Sequence, residues 1–486
     1  MRKPLLLAAP LALAACNFAP QYKPPVAPVS ASFTDGTPAA SPDNRLATDL
    51  GWRDFFGDAR LQALIARALA NNRDLAQSLA RVAQARAQYR IQDTQRLPAL
   101  DASLDYQKSR QPLGALPLPS GIGGGGGPSA IELENWTASG SVSSFELDLW
   151  GRVRNLSNEA RAQYLGSVQG ARAYRISLIA QVAAAYYDIL SGEERIALAE
   201  RTLTGRTEGV RIARKRLDAG VTSTIDYDQT ELLATQARAE LATLKLSTEQ
   251  ARNLLEVLVG GPSADALPPG RPLTDSGQFT RIDAGLPSAL LLDRPDILEA
   301  EYKLRAANAD IGAARAAFFP QISLTGMFGF INSALGGLFN SGNRTWQYGG
   351  TATLPIFDWG RRKAQLKLSH AQADELVAAY QGAVQKGFRE VADALVARRQ
   401  YVEQIAAVSD TVAAQQRLAI TARRRYDQGL SIYLQVLDAE RSLFDAQQQL
   451  IDLRSTALQN DVTLYVALGG GLRERHDDPP APKDRP

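Results

Sequence analysis

The feature that most constrains this chain is that much of it occurs twice. "LDLWGRVR" (147–154) answers "IFDWGRRK" (356–363), "RKRLDAG" (214–220) answers "RRRYDQG" (423–429), and "LEVLVGG" (255–261) answers "LYVALGG" (464–470). Trp150 and Trp359, Gly220 and Gly429, and Gly261 and Gly470 each lie 209 residues apart. Upstream, Pro98 and Pro320 are 222 apart, and the thirteen extra residues of the first copy fall in an interval containing "GIGGGGG". Solenoid repeats are far shorter than this. The chain therefore reads as a duplicated half-molecule whose length difference sits in a loop.

Each half shows the same order: helix, strand, loop, strand, long helix, Gly turn, helix. In the second half Ile322, Leu324, Gly326, Phe328 and Phe330 share one parity, as do Trp346, Tyr348, Gly350, Ala352 and Leu354 on the return strand. In the first half Leu100, Ala102, Leu104 and Tyr106 face one way. Trp136, Ala138, Gly140 and Val142 begin its partner strand, and the parity then shifts to Phe145, Leu147 and Leu149. That shift predicts a bulge near Ser143–Ser144. Strands are expected at about 99–110, 136–149, 321–330 and 345–357. Alternation alone fits a half-buried soluble sheet as well as a transmembrane barrel.

The helices separate those two readings. No proline occurs from 152 to 219 or from 361 to 428, and each stretch predicts one helix. A helix of sixty-odd residues is a rod of roughly 100 Å. Val377, Val384, Val391, Ile405 and Val412 lie on a seven-residue grid, with Phe388, Leu395 and Val402 at the second seam position. This is a coiled-coil seam, interrupted on the first grid by Arg398. Gly220 and Gly429 stand where a helix end wants positive φ. Shorter helices return over about 223–259 and 431–468, and Ser223 with Asp226 resembles a capping box. Trp150-Gly151 and Trp359-Gly360 mark the strand-to-helix junctions. Four strands cannot close a barrel, since barrels begin at about eight. Several copies are therefore expected to share one barrel, with the helices continuing as a tube. The hairpins would cross a membrane and the helices the space beneath it.

The N-terminus fits a secreted chain. Arg2 and Lys3 precede "LLLAAPLALAAC", a signal-peptide pattern over 1–15 that is too short to span a bilayer. "LAAC" resembles a bacterial lipobox, which implies cleavage before Cys16 and a covalent lipid on it. Asn17 in the next position, by resemblance to lipoprotein sorting, implies the outer membrane. Residues 16–50 are Pro-rich and read as a lipid-anchored tether. The first repeat is taken as 51–261, the linker as 262–285, the second repeat as 286–470 and a disordered tail as 471–486. The net charge of +3 and the lack of a Lys/Arg block speak against nucleic acid. With two histidines, His370 and His476, and one cysteine, metal and Cys/His catalysis have almost no raw material, so no metal site and no further cofactor is expected. No GxSxG, HExxH, Walker A or dinucleotide fingerprint occurs, so an enzyme is not expected.

"PIFDWGRR", "RRRYDQGLSIYLQVLDAERSLFDAQQQL" and the two-fold repeat resemble the TolC-type outer-membrane efflux family. The lipobox, the Pro-rich segment and "WRDFFGDARLQALIARALANNRDL" resemble its lipoprotein branch, which serves resistance–nodulation–division (RND) pumps. The resemblance implies a mainly α fold with a small transmembrane β part. It implies a homotrimer with a twelve-stranded barrel and a twelve-helix coiled-coil α-barrel. It also implies docking to a periplasmic adaptor and an inner-membrane RND pump, and passive export of small molecules. For the periplasmic gate it implies roles at four positions. Asp438 matches an aspartate lining the constriction, and Gln435 stands where the family has a second one. Asp226 and Tyr426 match positions that bond across neighbouring helices when closed. Where some members place an arginine, this chain has Ser431, so the closing network must differ. An exit duct for type I protein secretion would share the fold. A lipid-anchored coiled coil without a pore is the alternative of another class.

Overall fold

The computed structural model describes residues 17–30, 46–112, 130–262, 267–276, 279 and 294–475. The signal segment, Cys16, His476 and the Gly-rich loop lie outside the described residues. Helix α1 (Trp52–Phe55), α2 (Ala59–Asn71) and α3 (Arg73–Thr94) lead to strands β1 (Asp101–Pro112) and β2 (Ala130–Glu146). Helices α4 (Arg152–Asp218) and α5 (Thr224–Val259) complete the first repeat. The second repeat runs α6 (Pro295–Ala316), β3 (Gln321–Asn332), β4 (Arg344–Thr353), α7 (Arg361–Asp427) and α8 (Tyr433–Ala467). The duplication is metrically close: α4 and α7 each have 67 residues, and α3 and α6 each have 22. No described helix is long and apolar enough to cross a membrane.

The chain divides into two compact units. The first, residues 1–24, 83–164 and 302–378, holds the sheet. Its four strands are all antiparallel in the order β1-β2-β3-β4. The ladder slips between Val142 and Phe145, at the expected bulge. β2 starts earlier than the parity suggested, at Ala130, because it pairs with β1 as far as Pro112. β4 ends at Thr353 rather than 357, because Pro355 brings no N–H to a ladder. Side chains of the strands are mostly exposed, including Leu104, Tyr106, Trp346 and Tyr348.

The expected tether is fastened along part of its length in this unit. Residues 17–24 lie extended along the chain's own surface. Phe18 stacks on Phe319 at 4.5 Å, and Asn17 Oδ1 accepts from Asn155 Nδ2 at 3.0 Å. Asn308 donates to Pro20 O at 2.8 Å and Arg315 to Phe18 O at 3.3 Å. Proline explains this pattern: it fixes an extended backbone and leaves carbonyls for side-chain donors. Gly312 makes room, since a Cβ there would stand 2.6 Å from Asn155 Nδ2 and 2.8 Å from Ala19 Cα.

The second unit, residues 25–82, 165–301 and 379–486, carries the aromatic core. Trp52, Phe55, Phe56, Leu61, Ile65, Ile179 and Tyr187 are buried there. Phe55 stacks on Tyr465 at 4.0 Å, and the Tyr465 hydroxyl donates to Leu50 O at 2.8 Å. Asp58 caps α2, accepting from Arg60 N at 2.8 Å and from the Tyr186 hydroxyl at 2.7 Å. Ala47 and Leu50 are also buried, so the folded body begins before 51. The linker contributes to this core: Leu273 is buried, and Phe279 stacks on Phe55 at 5.0 Å. The tail expected from 471 is ordered through Arg475, where Trp52 N and Arg53 N donate to the Arg473 and Glu474 carbonyls. On the α7 grid Val384 and Val391 are buried, but Val402, at the second seam position, is 68% exposed. Arg398, which interrupts the grid, pairs with Asp461 on α8 at 3.4 Å.

Candidate functional site: the two helix turns and the strand-to-helix junctions

Both long helices end on a left-handed glycine, Gly220 at φ +72° and Gly429 at φ +74°. The ends match bond for bond. Gly220 N donates to Leu217 O and Val221 N to Arg216 O, each at 2.9 Å; Gly429 N donates to Tyr426 O at 2.9 Å and Leu430 N to Arg425 O at 2.8 Å. Nothing lies within 4 Å of an added Cβ at either glycine. The backbone conformation, not space, asks for glycine.

Beyond the glycines the turns differ. Ser223 caps α5 in a full capping box: its hydroxyl accepts from Asp226 N at 3.1 Å, and Asp226 Oδ2 accepts from Ser223 N at 3.5 Å. Thr222 also donates to that carboxylate, at 2.9 Å. Asp226 is thus occupied within its own turn and does not bond Tyr426 in this structure. The second turn starts α8 at Ile432 with no side-chain cap, and Ser431 Oγ is buried with no hydrogen-bond partner.

Tyr426 finds a different partner. Arg216 Nη1, on the last turns of α4, donates to its hydroxyl, and the Arg216 guanidinium lies 5.0 Å from its ring centre. Tyr433 leans on the same ring at 4.8 Å. Gly209 makes that possible, because a Cβ there would lie 3.1 Å from the Tyr433 hydroxyl. Burial pushes the Tyr433 phenol up. Arg216, Thr222, Asp226, Arg423, Tyr426 and Tyr433 line one small cavity of about 20 Å³, room for a single water. The structure thus brings Asp226 and Tyr426 to one site and adds Arg216, which sequence reasoning missed. The "RRRY" run drew attention to the second turn, while Arg216 sits in the plainer "RKRLDAG" of the first.

Asp438 and Gln435 lie apart from that cavity, exposed on the first turns of α8. Asp438 Oδ1 pairs with Arg441 at 3.1 Å, both side chains more than half exposed. Arg423 reaches Asp427 at 3.7 Å and Glu440 at 3.9 Å. Burial raises Glu440, and the nearby Arg423 and Arg206 oppose it. Arg206 is itself buried, donating to Leu233 O at 3.0 Å with its guanidinium 5.4 Å from the Phe444 ring centre. Among the described residues no cluster of His, Cys, Asp and Glu could hold a metal. The chemistry on offer is a releasable fastening of helix ends.

The junctions are paired in sequence and unlike in surroundings. Gly151 and Gly360 share left-handed φ of +75° and +86°. Trp150 is half-buried, donates from Nε1 to Pro320 O at 2.8 Å and stacks on Phe319 at 4.9 Å. Asp148 caps α4 by accepting from Arg154 N at 2.7 Å. Trp359 is 91% exposed with φ +54°, and Asp358 caps α7 by accepting from Arg362 N at 3.2 Å.

Comparison with known proteins agrees with this architecture. The family model described as outer membrane efflux protein matches residues 64–261 and 286–470, one segment in each repeat. The toluene efflux pump outer membrane protein TtgI of Pseudomonas putida is 40% identical over 472 residues, 96% of this chain and 98% of TtgI. The cation efflux system protein CusC of Escherichia coli K12 is 37% identical over 471 residues, 95% of this chain and 97% of CusC. Among solved structures, the open state of the Neisseria gonorrhoeae MtrE outer membrane channel superimposes with a TM-score of 0.84 at 38% identity, covering 95% of this chain and all of that one. Both repeats, the sheet and the long helices fall within these matches, and the chain belongs to the outer membrane efflux protein family.

Proposed function

We propose that this chain is the outer-membrane exit duct of a tripartite efflux system, conducting small molecules passively from an inner-membrane RND pump, through a periplasmic adaptor, to the cell exterior. The observation that carries the reading is the four-stranded sheet, open at β1 and β4 and continued in each repeat by a 67-residue helix. An open sheet cannot cross lipid, because its edge N–H and C=O groups would have no partners. Three copies would supply twelve strands for a closed barrel and twelve helices for the tube beneath it. A lipid on Cys16 would add a second hold on the outer membrane, each buried methylene contributing about 0.8 kcal/mol. Relatives of similar identity are named for toluene and for cations, which supports a duct that leaves cargo choice to the pump. An exit duct for protein secretion would share the architecture, and co-purification with the native adaptor and pump separates the two.

Native mass in mild detergent and planar-bilayer recording test the reading together. A trimer that conducts is expected; a non-conducting rod or a stable conducting monomer would refute it. The gate is tested in the same recordings. In a trimer, Asp438 would place three carboxylates around one axis, favouring cations and accepting divalent ions as hard ligands. With Gln435 in place of a second ring, divalent block is expected to be modest. Asp438→Ala should lower cation selectivity and divalent block, whereas Asp445→Ala, seven residues along α8, should change little. Unaltered selectivity and block in Asp438→Ala would reduce Asp438 to a solvated helix charge.

A further inference from the structure

A charge on a lipid-facing strand position is costly at mid-depth and tolerated only near the interfaces. The described strands hold three cations, Lys108 and Arg110 on β1 and Arg344 on β4. All three share the parity of the apolar side chains. Lys108 and Arg110 continue the row of Leu104 and Tyr106, and Arg344 precedes Trp346 and Tyr348. The ladder keeps this parity on one face. Tyr106 stands opposite Trp136, Ala138 opposite Phe330, and Phe330 opposite Arg344. The other face carries Asp101, Asp105 and Glu146 and no strand Lys or Arg.

The cations also gather at one end, away from the long helices. Beyond Trp136 the β1–β2 ladder runs on without β3, as far as Pro112 and Ala130, and Lys108 and Arg110 stand on this overhang. Arg344 opens β4. Aromatic rings lie just beneath, Tyr106 against Trp136 at 4.6 Å and Trp346 against Tyr348 at 5.5 Å. Below them the face is apolar. Phe330 to Ile322 covers about 27 Å along the strand, or about 20 Å of height at a barrel's tilt. An outward apolar band is about 25 Å tall, so the cations emerge at its upper edge. The two carboxylates of the overhang are already engaged. Glu134 accepts from the Tyr106 hydroxyl at 2.9 Å and lies 3.7 Å from Lys108 Nζ, which reaches Glu132 at 3.9 Å. Arg110 stands opposite Glu132 yet, like Arg344, makes no ion pair among the described residues. The connecting segments 113–129 and 333–343 contain no charged residue that could supply one.

We propose that this outward face binds the phosphate groups of the outer leaflet's lipid, with Arg110 and Arg344 as the phosphate-binding side chains and Tyr106, Trp136 and Trp346 packed where headgroup meets acyl chain. The proposal rests on the reading that the sheet belongs to a membrane barrel whose hairpins point to the cell exterior. The chemistry is complementary. A guanidinium offers paired N–H groups that match phosphate oxygens, and aromatic rings favour the membrane interface. The outer leaflet of a bacterial outer membrane is built of phosphorylated glycolipid, so phosphates stand at the height where these two unpaired cations emerge. Both side chains are exposed. One cation near an anionic membrane surface is worth about fivefold in binding, and two about twentyfold.

Native mass spectrometry of the full-length protein in mild detergent tests the site, with a diphosphoryl glucosamine glycolipid and its dephosphorylated form as probes. The wild type should bind the phosphorylated form about twentyfold more tightly. Arg110→Gln with Arg344→Gln should lose most of that preference and bind the dephosphorylated form as before. Arg201→Gln with Arg238→Gln removes the same charge from exposed positions on α4 and α5 and should keep the preference. No preference in the wild type, a preference intact in the strand double variant, or an equal loss in the helix double variant overturns the site. Loss of the preference in millimolar inorganic phosphate would make this a site for free phosphate and overturns the lipid. These outcomes are distinct from failure of the duct itself: a conducting oligomer without the preference overturns only the lipid site, whereas a wild type that forms no conducting oligomer overturns both.

Discussion

Removing one oxygen from Tyr426 tests whether the two turns are fastened to each other. Its hydroxyl accepts from Arg216 Nη1, and its ring meets both the Arg216 guanidinium at 5.0 Å and Tyr433 at 4.8 Å. Tyr426→Phe keeps the ring and both of its ring contacts, so the change isolates one hydrogen bond to a charged donor. Such bonds contribute about 1.5–3 kcal/mol. Tyr426 is half-buried, which places the effect near the lower end. Arg216 Nε is already buried without a partner, so the guanidinium has little slack for re-pairing. A loss of about 1.5 kcal/mol per chain is roughly tenfold in an open–closed equilibrium. Three fastenings released together would amount to about 4–5 kcal/mol by the same conversion. Arg216→Ala also removes the cation–π contact and should cost about 0.5–1 kcal/mol more. Open probability in single-channel recordings reads the shift, and sensitivity of cells to a large antibiotic such as vancomycin follows it. The double-mutant cycle should show a coupling of about 1 kcal/mol or more. Wild-type open probability in Tyr426→Phe, or strictly additive effects with Arg216→Ala, would refute the latch.

Two further outcomes follow from the first unit. Burial first and the Asp310 carboxylate second push Glu159 on α4 up to about 7, from 4.5 when unfolded. The native chain then holds a proton that the unfolded chain releases, so stability falls as pH rises from about 4.5 to 7 and stays lowered above that. The full shift corresponds to about 3 kcal/mol, reduced in practice because Glu159 is partly exposed. Melting at pH 5.5 and 8 should show this slope in wild type and a flatter one in Glu159→Gln; equal slopes would count against the raised carboxyl of Glu159. Gly312→Val should force Ala19 away and release residues 17–24, at a cost of about 1–3 kcal/mol typical of overpacking. Hydrogen exchange or limited proteolysis of that segment reads the release, and unchanged protection would show that the strap does not depend on this contact.

Much of the fold was legible because duplication, parity and helix signals are local or repetitive. The equal helices, the capping box at Ser223 and the bulge after Val142 all follow from patterns a single strand or helix must obey. What escaped depended on partners distant in sequence. Prolines at 20 and 24 read as an extended tether, and nothing in that segment announces that Asn308 and Arg315 supply donors to its carbonyls. Val402 holds the second seam position, yet it is mostly exposed. At the two turns the sequence pointed to a place and not to a bond. Asp226 and Tyr426 do line one cavity, but the carboxylate closes its own capping box and the phenol turns to Arg216.

The differences between the repeats locate the weaker of the two turns. Where the second repeat has Tyr426, the first has Leu217, so the repeat offset supplies one phenol per chain. The first turn is held from within, by Ser223, Thr222 and Asp226. The second has an apolar residue at the cap position of α8 and a buried Ser431 hydroxyl that bonds to nothing. A missing side-chain cap is worth about 1 kcal/mol, and an orphaned buried hydroxyl adds a further penalty. Both deficits fall on the turn that Tyr426 tethers to α4. The intrinsically loose turn is therefore held mainly by a bond to its neighbour, and a single contact can decide whether it stays in place.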